Sequence, residues 1–373
     1  MDKSQDLVSL FGDMPDPRLD RKRLHDLGDI MAIAIMAVIS GAESWVDMEE
    51  FGLAHHDWLH TFLSLPNGIP SHDTFNRVFS LIDPKEFEKR FVLWVEGISN
   101  KIRGHIAIDG KVIKGSGSKK KAKNPLWMVS AWAADSELIL AHTSVADKSN
   151  EISAIPKILE LLSIEGCVVS IDAMGCQKQV VDQIVSRHAD YVLAVKGNQK
   201  NLHSELVHFF EQAEEAQFEY ISHDWHKSYE EVRGREEERM LYVTGDIDWL
   251  PMRDEWQKLR SLLCVITNRT VEGVTSTTRR YYISSLSPDA QEHSKVVRNH
   301  WGIENKQHWI LDVAFNEDKT TTRDRVASEN FATLRRLALN LLKREPSKAG
   351  MRRKRLRAGW DRDYLLKLLH SEF

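Results

Sequence analysis

The stretch "IAIDGKVIKGS", Ile106 to Ser116, decides the reading of this chain, because an apolar run ends there on an aspartate and passes directly into Gly110 and Lys111. Taken alone, Asp-Gly marks a turn, since both residues suit turn backbone. A carboxylate at the mouth of a buried strand gains a second meaning only if further carboxylates arrive at the same place. Asp172 does so, at the end of the apolar run "CVVSI" in "CVVSIDAMG".

The order of elements supports that convergence. From about residue 101 the pattern predicts the strands "HIAID", "MVSAWAA" and "LILAHTSV", and then a helix capped near Asn150 and running through Ile155, Ile158, Leu159 and Leu162. A strand ending at Asp172 follows, then the helix "KQVVDQIVSRHA" and the strand "YVLAV" with the turn "KGNQ". Three strands, helix, strand, helix, strand is the order of a ribonuclease-H-like α/β fold, in which carboxylates at strand ends meet. Two strand-end aspartates suit a hard divalent cation. A phosphoryl-transfer site needs a further carboxylate, and Glu304 in "VVRNHWGIENKQHWILDV" is expected mid-helix, with His300, His308 and Asp312 on its face. A zinc set of His300, Glu304 and His308 is disfavoured, because helical zinc histidines stand at i, i+4 and these stand at i, i+8.

Residues 1–100 read as helical, with "IPSHDTFNRVFSLI" resembling the second helix of a helix-turn-helix that would offer Ser71, His72, Thr74, Asn76 and Arg77 to DNA. The alternative for this stretch is one amphipathic helix of a bundle.

Composition limits the rest. The 373 residues are 42% hydrophobic, enough for a large domain plus a smaller one. The longest apolar stretch, Ile30 to Ser40, falls short of the roughly 20 residues that cross a bilayer, and no basic leader precedes a cleavage-like site. Cys167, Cys176 and Cys264 form no CxxC pair. A disulfide framework is therefore not expected, and the expected compartment is the cytosol. The net charge of −4 conceals strong asymmetry. Residues 335–357 hold ten Lys/Arg against Glu345, and residues 101–123 hold eight against Asp109. Residues 211–255 hold fourteen acids against five bases. A basic run alone is commonly a solvated surface; two beside a candidate catalytic carboxylate favour a polyanionic partner.

Together, "IAIDGKVIKGS", "SNEISAIPKILELL", "SIDAMGCQKQVVDQI", "YVLAVKGNQ", "YYISSL" and "VVRNHWGIENKQHWILDVAFNEDKTTTR" resemble, in order and over most of the chain, the DDE transposases of bacterial insertion sequences. Within that family they are similar to the H-repeat-associated branch. The resemblance implies three parts: a helical, DNA-binding transposase-associated domain over 1–100, a ribonuclease-H-like catalytic domain over 101–345 with a β-rich insertion at about 200–286, and a basic tail over 346–373. It also implies a metal-binding catalytic triad of Asp109, Asp172 and Glu304 with two Mg²⁺ or Mn²⁺ ions, cutting element ends in double-stranded DNA and joining them to target DNA. A homodimer or larger assembly on DNA, nucleoid-associated in a bacterial cytoplasm, is expected. The wider superfamily places Tyr, Arg and Lys around the glutamate, but this chain has Val297, His300 and Leu311 there. Phosphate contacts are therefore expected from Lys111, Lys114, Lys119 to Lys123, Lys196, Arg298 and Lys306, and from Arg352, Arg353 and Arg355 in an extended or frayed tail. Two other readings stay open: a metal nuclease without strand transfer, and a non-catalytic DNA-binding protein derived from a transposase.

Overall fold

Alternation between helical and extended apolar spacing divides the chain into the elements seen in a computed structural model, which describes residues 7–99, 102–118, 122–145, 151–232 and 234–370. The expected Asn150 cap and Lys119 to Lys121 lie outside the described residues. Six helices come first: α1 (Leu7–Gly12), α2 (Leu27–Ser40), α3 (Trp45–Ala54), α4 (His56–Leu59), α5 (His72–Phe79) and α6 (Pro84–Ile98). Asp26, Ser44, Ser71 and Asp83 cap four of them by accepting from backbone N–H groups of the first turn. The apolar stretch of α2 is buried on all sides, from Ile30 to Ile39. Among the described residues no single helix is long and apolar enough to cross a membrane.

The next segment supplies β1 (Gly104–Ile113), β2 (Leu126–Ala133), β3 (Leu138–Val145), α7 (Glu151–Leu161), β4 (Cys167–Ile171), α8 (Lys178–Ser186) and β5 (Asp190–Val195). Residues 200–286 then give α9 (Lys200–Glu215), β6 (His223–Val232), β7 (Arg235–Thr244), β8 (Ser261–Val271) and β9 (Val274–Ser284). All nine strands form one sheet, ordered β3-β2-β1-β4-β5-β9-β8-β7-β6. The β1–β2, β2–β3 and β5–β9 pairs are antiparallel, whereas β1–β4 and β4–β5 are parallel. β1 is buried on both faces from His105 to Ile108, as a central strand must be.

The Asp-Gly pair is not a turn, and β1 does not stop at Asp109. Pairing with β4 ends at Ile108↔Ile171, but pairing with β2 continues through Asp109↔Ser130 and Gly110↔Val129 as far as Ile113↔Leu126. The antiparallel neighbour keeps the strand extended after the parallel neighbour has left.

The C-terminal third comprises α10 (Ala290–His300), α11 (Trp309–Ala314), α12 (Arg325–Arg344), α13 (Met351–Trp360) and α14 (Arg362–His370). α12 is the bolt between the helices and the sheet. Its buried Asn330 donates to the carbonyls of Phe79 and Ile82 (2.8 and 2.9 Å). Two turns or so further on, Asn340 pairs with both backbone groups of Ile139 on β3 (2.9 and 2.8 Å). Each asparagine satisfies backbone groups that burial would otherwise leave unpaired.

The basic tail is not extended or frayed; it is α13, packed on α2. The Lys354 ammonium donates to the carbonyls of Leu342 (3.0 Å) and Glu345 (2.6 Å). Arg355 donates to the carbonyls of Val38 (2.8 Å) and Ala314 and lies 4.2 Å over the Phe315 ring. These two cations are thus spent on helix C-terminal carbonyls, where a positive charge is favoured. Arg352, Arg353 and Arg357 stay exposed. The hydrophobic side of the tail divides too, with Leu365 and Leu368 buried and Leu356 and Trp360 exposed. Arg355→Ala should therefore cost about 2–4 kcal/mol by stranding buried carbonyls. Urea unfolding at equilibrium measures this; an unchanged midpoint would show that the tail is not anchored there.

Candidate active site

Register brings the two aspartates together. Ile108 and Ile171 are the last β1–β4 partners, so Asp109 and Asp172 are the next residue on each of two strands about 4.8 Å apart. Asp172 leaves the sheet as the cap of a short 3₁₀ turn, Ala173–Gly175, accepting from the Met174 N–H at 3.0 Å. The "KGNQ" segment braces this turn: Asn198 donates to the carbonyl of Ala173 (2.5 Å) and Gln199 to that of Cys176 (2.9 Å). Lys196 beside them is exposed.

Glu304 does not sit in the middle of a regular helix. α10 ends at His300, and Glu304–His308 form a π-helical turn that feeds α11. Such one-turn widenings recur at functional sites, where they re-aim side chains. Gly302 lets the turn lie flat on the buried Trp132, since a Cβ would come within 2.8 Å of that ring. Glu304 itself is exposed, while Gln307 and His308 point inward and are buried.

The carboxylates act on one another electrostatically. Burial pushes the Asp109 carboxyl up to about 7, and the charges of Asp172, Glu304 and Glu151 add to the rise. Burial also raises Glu304, opposed by the Arg280 guanidinium. Glu151, which the sequence reading did not single out, is buried at the start of α7. A Cβ on residue 110 would stand 2.3 Å from its carboxylate oxygen. Gly110 is thus a glycine so that a fourth carboxylate can approach Asp109. Nothing in the spacing of "SNEISAI" signals this, because the contact crosses from α7 to the sheet.

The histidines face inward. His300 Nδ1 pairs with the Ser170 hydroxyl at 2.7 Å, and His105 Nε2 meets the same hydroxyl at 2.6 Å. Burial lowers His300 to about 4 and His308 to about 3, so both are neutral near pH 7. His308 Nδ1 stands 3.6 Å from Asp109, a contact of a neutral ring. Among the described residues no three His, Cys, Asp or Glu side chains lie close enough to share one ion, which holds for His300, Glu304 and His308 and equally for Asp109, Asp172 and Glu304.

Several basic residues expected at phosphates are committed elsewhere. Lys111 is buried in a cluster with Asp312 (2.8 Å), Glu317 (3.2 Å) and Asp318 (3.3 Å), which corrects its expected place on a backbone-binding surface. Buried among three carboxylates, its ammonium is engaged inside the protein and is not presented to a phosphate. Lys114 is exposed but pairs with Asp318 at 2.8 Å, Arg298 pairs with both oxygens of Glu230 at 2.6 and 2.5 Å, and Lys306 pairs with Glu137 at 2.6 Å. On α5, Thr74 is buried and His72 is tied to Glu49 at 2.5 Å; Asn76 and Arg77 remain exposed.

Comparison with known proteins bears on this geometry. A family described as DDE_Tnp_1-associated matches residues 8–95, and one described as Transposase DDE domain matches residues 100–341. The chain belongs to the DDE transposase family. It is 38% identical over 364 residues, 95% of each chain, to the Escherichia coli K12 protein named "H repeat-associated putative transposase YhhI". To "Putative transposase YncI" of Escherichia coli O157:H7 it is also 38% identical, over 378 residues covering 98% of this chain and 95% of the other. Family members of the H-repeat kind therefore run the length of this DDE transposase chain.

The raised Asp109 carboxyl, buried and beside other carboxylates, has a measurable cost. With Asp109 raised in the folded state, the native protein binds more protons than the unfolded chain, so this group lowers stability as pH rises from about 4 to about 7. Asp109→Asn should raise the Tm of metal-free protein by about 2–5 °C at about pH 8, and the difference should shrink towards about pH 5. Differential scanning fluorimetry across that range decides it; a variant equal to or below wild type at high pH would show that the Asp109 carboxyl is not raised.

Proposed function

We propose that this chain is a metal-dependent DNA transposase that cuts the ends of an insertion sequence and joins them to target DNA, with Asp109, Asp172 and Glu304 as its catalytic carboxylates. The observation that carries the reading is the adjacency of Asp109 and Asp172 at the point where β1 and β4 part, with Glu304 within electrostatic reach. Support for a ribonuclease-H-like core comes from the order β3-β2-β1-β4-β5, antiparallel in its first three strands and parallel in the last three.

The three side chains fit a hard divalent cation in kind, since all their donors are carboxylate oxygens, and in charge, since burial and then the neighbouring carboxylates raise Asp109, a rise that a cation would relieve. Mg²⁺ or Mn²⁺ held there supplies water activation and neutralises charge on the scissile phosphate. The chain's own part is positional. β1 and β4 fix the two aspartates side by side, and the π turn presents Glu304 from the other side. To hold one ion with both aspartates, Glu304 would have to move onto the aspartate pair. His300 and His308, neutral behind the carboxylates, add no competing positive charge. No protein nucleophile is required.

In this reading residues 1–100 bind DNA, 101–345 carry catalysis with 200–286 as the insertion, and the exposed cations Lys196, Arg352 and Arg353 join them at the backbone. The partner is double-stranded DNA bound by a dimer or larger assembly, in a bacterial cytoplasm.

The test is incubation of purified protein with Mg²⁺ and DNA from the flanks of its own gene. Asp109→Asn, Asp172→Asn and Glu304→Gln each keep side-chain size but remove a charge. Each should lower metal-dependent cutting by at least about 100-fold, and a double variant should be no worse than a single one. Near wild-type cutting by any of the three removes that residue from the triad. Cutting without joining in a strand-transfer assay leaves a nuclease.

A further inference from the structure

By sequence the insertion is the acidic part of the chain, yet one face of its sheet is cationic. Because side chains alternate along a strand, the rows crossing β7, β8 and β9 on this face can be read from the register. They are Val243–Leu263–Tyr282, then Leu241–Val265–Arg280, Arg239–Thr267–Thr278 and Glu237–Arg269–Ser276, with Arg235 at the end. The apolar rows are buried beneath Val296 and Val297 of α10. Past the cover of α10 the rows turn polar. They line a groove of about 310 Å³ containing five arginines, 235, 239, 269, 280 and 298, against Glu237, with Glu230 of β6 opposite it in the same row. Its other wall is Trp301 and Asn305, on either side of Glu304. A cavity of about 670 Å³ adjoins it and shares Arg239, Arg280 and Arg298.

The groove is built rather than incidental. Arg280 lies 4.6 Å over the Trp301 ring, which holds the guanidinium beside Glu304. Glu237 pairs with Arg235 and Arg239, and Glu230 binds Arg298 at 2.5 Å and Arg239 at 3.4 Å, so the arginines are fanned out in fixed places. Residues two apart on a strand are about 6.7 Å apart, a repeat on the scale of successive phosphates along one strand. Guanidinium forks with Thr267, Thr278 and Ser276 hydroxyls between them are donors for phosphate oxygens and offer no pattern for reading bases.

We propose that this groove seats the sugar-phosphate backbone of the DNA strand that runs to Glu304, with Arg269 and Arg280 as its phosphate contacts. The proposal rests on the reading of the chain as a DNA transposase. It also places the Arg280 guanidinium, which opposes the raised Glu304 carboxyl, at the end of the groove nearest Glu304.

The experiment reads binding apart from chemistry, in the Asp109→Asn background, by fluorescence anisotropy of a labelled duplex from the gene's flank across a salt series. Arg269→Gln with Arg280→Gln should flatten the slope of log affinity against log salt by about 1.8, from about 0.9 for each phosphate contact. Affinity should fall at least about tenfold, whereas Arg253→Gln, a half-buried cation outside the groove that is paired with Asp248 and Asp254, should leave both unchanged. A slope unaltered in the double variant overturns the proposal. As a second arm that keeps all the arginines, Ser276→Cys carrying a thiol-directed photo-cross-linker should couple to the duplex; the three native cysteines are buried. Absence of the cross-link likewise overturns it. Failure of wild-type protein to cut the flank DNA, with slope and cross-link as expected, removes the transposase reading alone; efficient cutting with neither removes the groove alone.

Discussion

A single buried carboxylate, Glu317, ties the site together. It is wholly excluded from solvent and pairs with Arg336 of α12 at 2.8 Å and with Lys111 of β1 at 3.2 Å. Opposing charge from both partners outweighs burial and holds Glu317 down at about 2. Lys111 also reaches Asp312 of α11. The strand that carries Asp109, the segment that follows Glu304 and the long helix α12 thus meet at one charge cluster. A buried ion of this kind is costly if any member is removed, because the others are left uncompensated. The same cost makes the cluster specific: only one docking of α11 against β1 satisfies all members.

Beside this cluster of opposite charges lies one of like charges. Asp109, Asp172, Glu151 and Glu304 bring carboxylates together in a half-buried site where, among the described residues, no lysine or arginine pairs with either aspartate and Arg280 opposes Glu304. Gly110 makes the crowding feasible. Lys111, two residues from Asp109, illustrates the separation of roles. It lies on the same face of β1, yet its ammonium is taken up by Asp312, Glu317 and Asp318 and serves packing.

The order of strands and helices from Ile106 to Val195 was legible from apolar spacing, because two-fold and 3.6-fold periodicities are local properties of the chain. So was the identity of the two aspartates at the β1 and β4 positions, and the helical character of residues 7–98. Less legible were strand ends. β1 was read as stopping at Asp109, whereas its length is set by β2, a partner some twenty residues further on. The regular helix expected around Glu304 is a π turn, and the widening depends on Trp132 and on inward-facing Gln307 and His308, which are tertiary contacts.

Charge was the property that sequence alone located least well. The run "MRRKRLRAGW" determined that five cations lie within six positions; only docking of α13 on α2 decided that Lys354 and Arg355 cap carbonyls and that Arg352, Arg353 and Arg357 face solvent. Likewise the residues from 211 to 255 are acidic by composition, yet alternation along β7 and its pairing with β8 and β9 collect arginines on one face. Composition and periodicity depend on neighbours along the chain, and these the sequence itself determined. Which face meets which partner depends on strands and helices brought together from distant positions, and only the tertiary structure decided that.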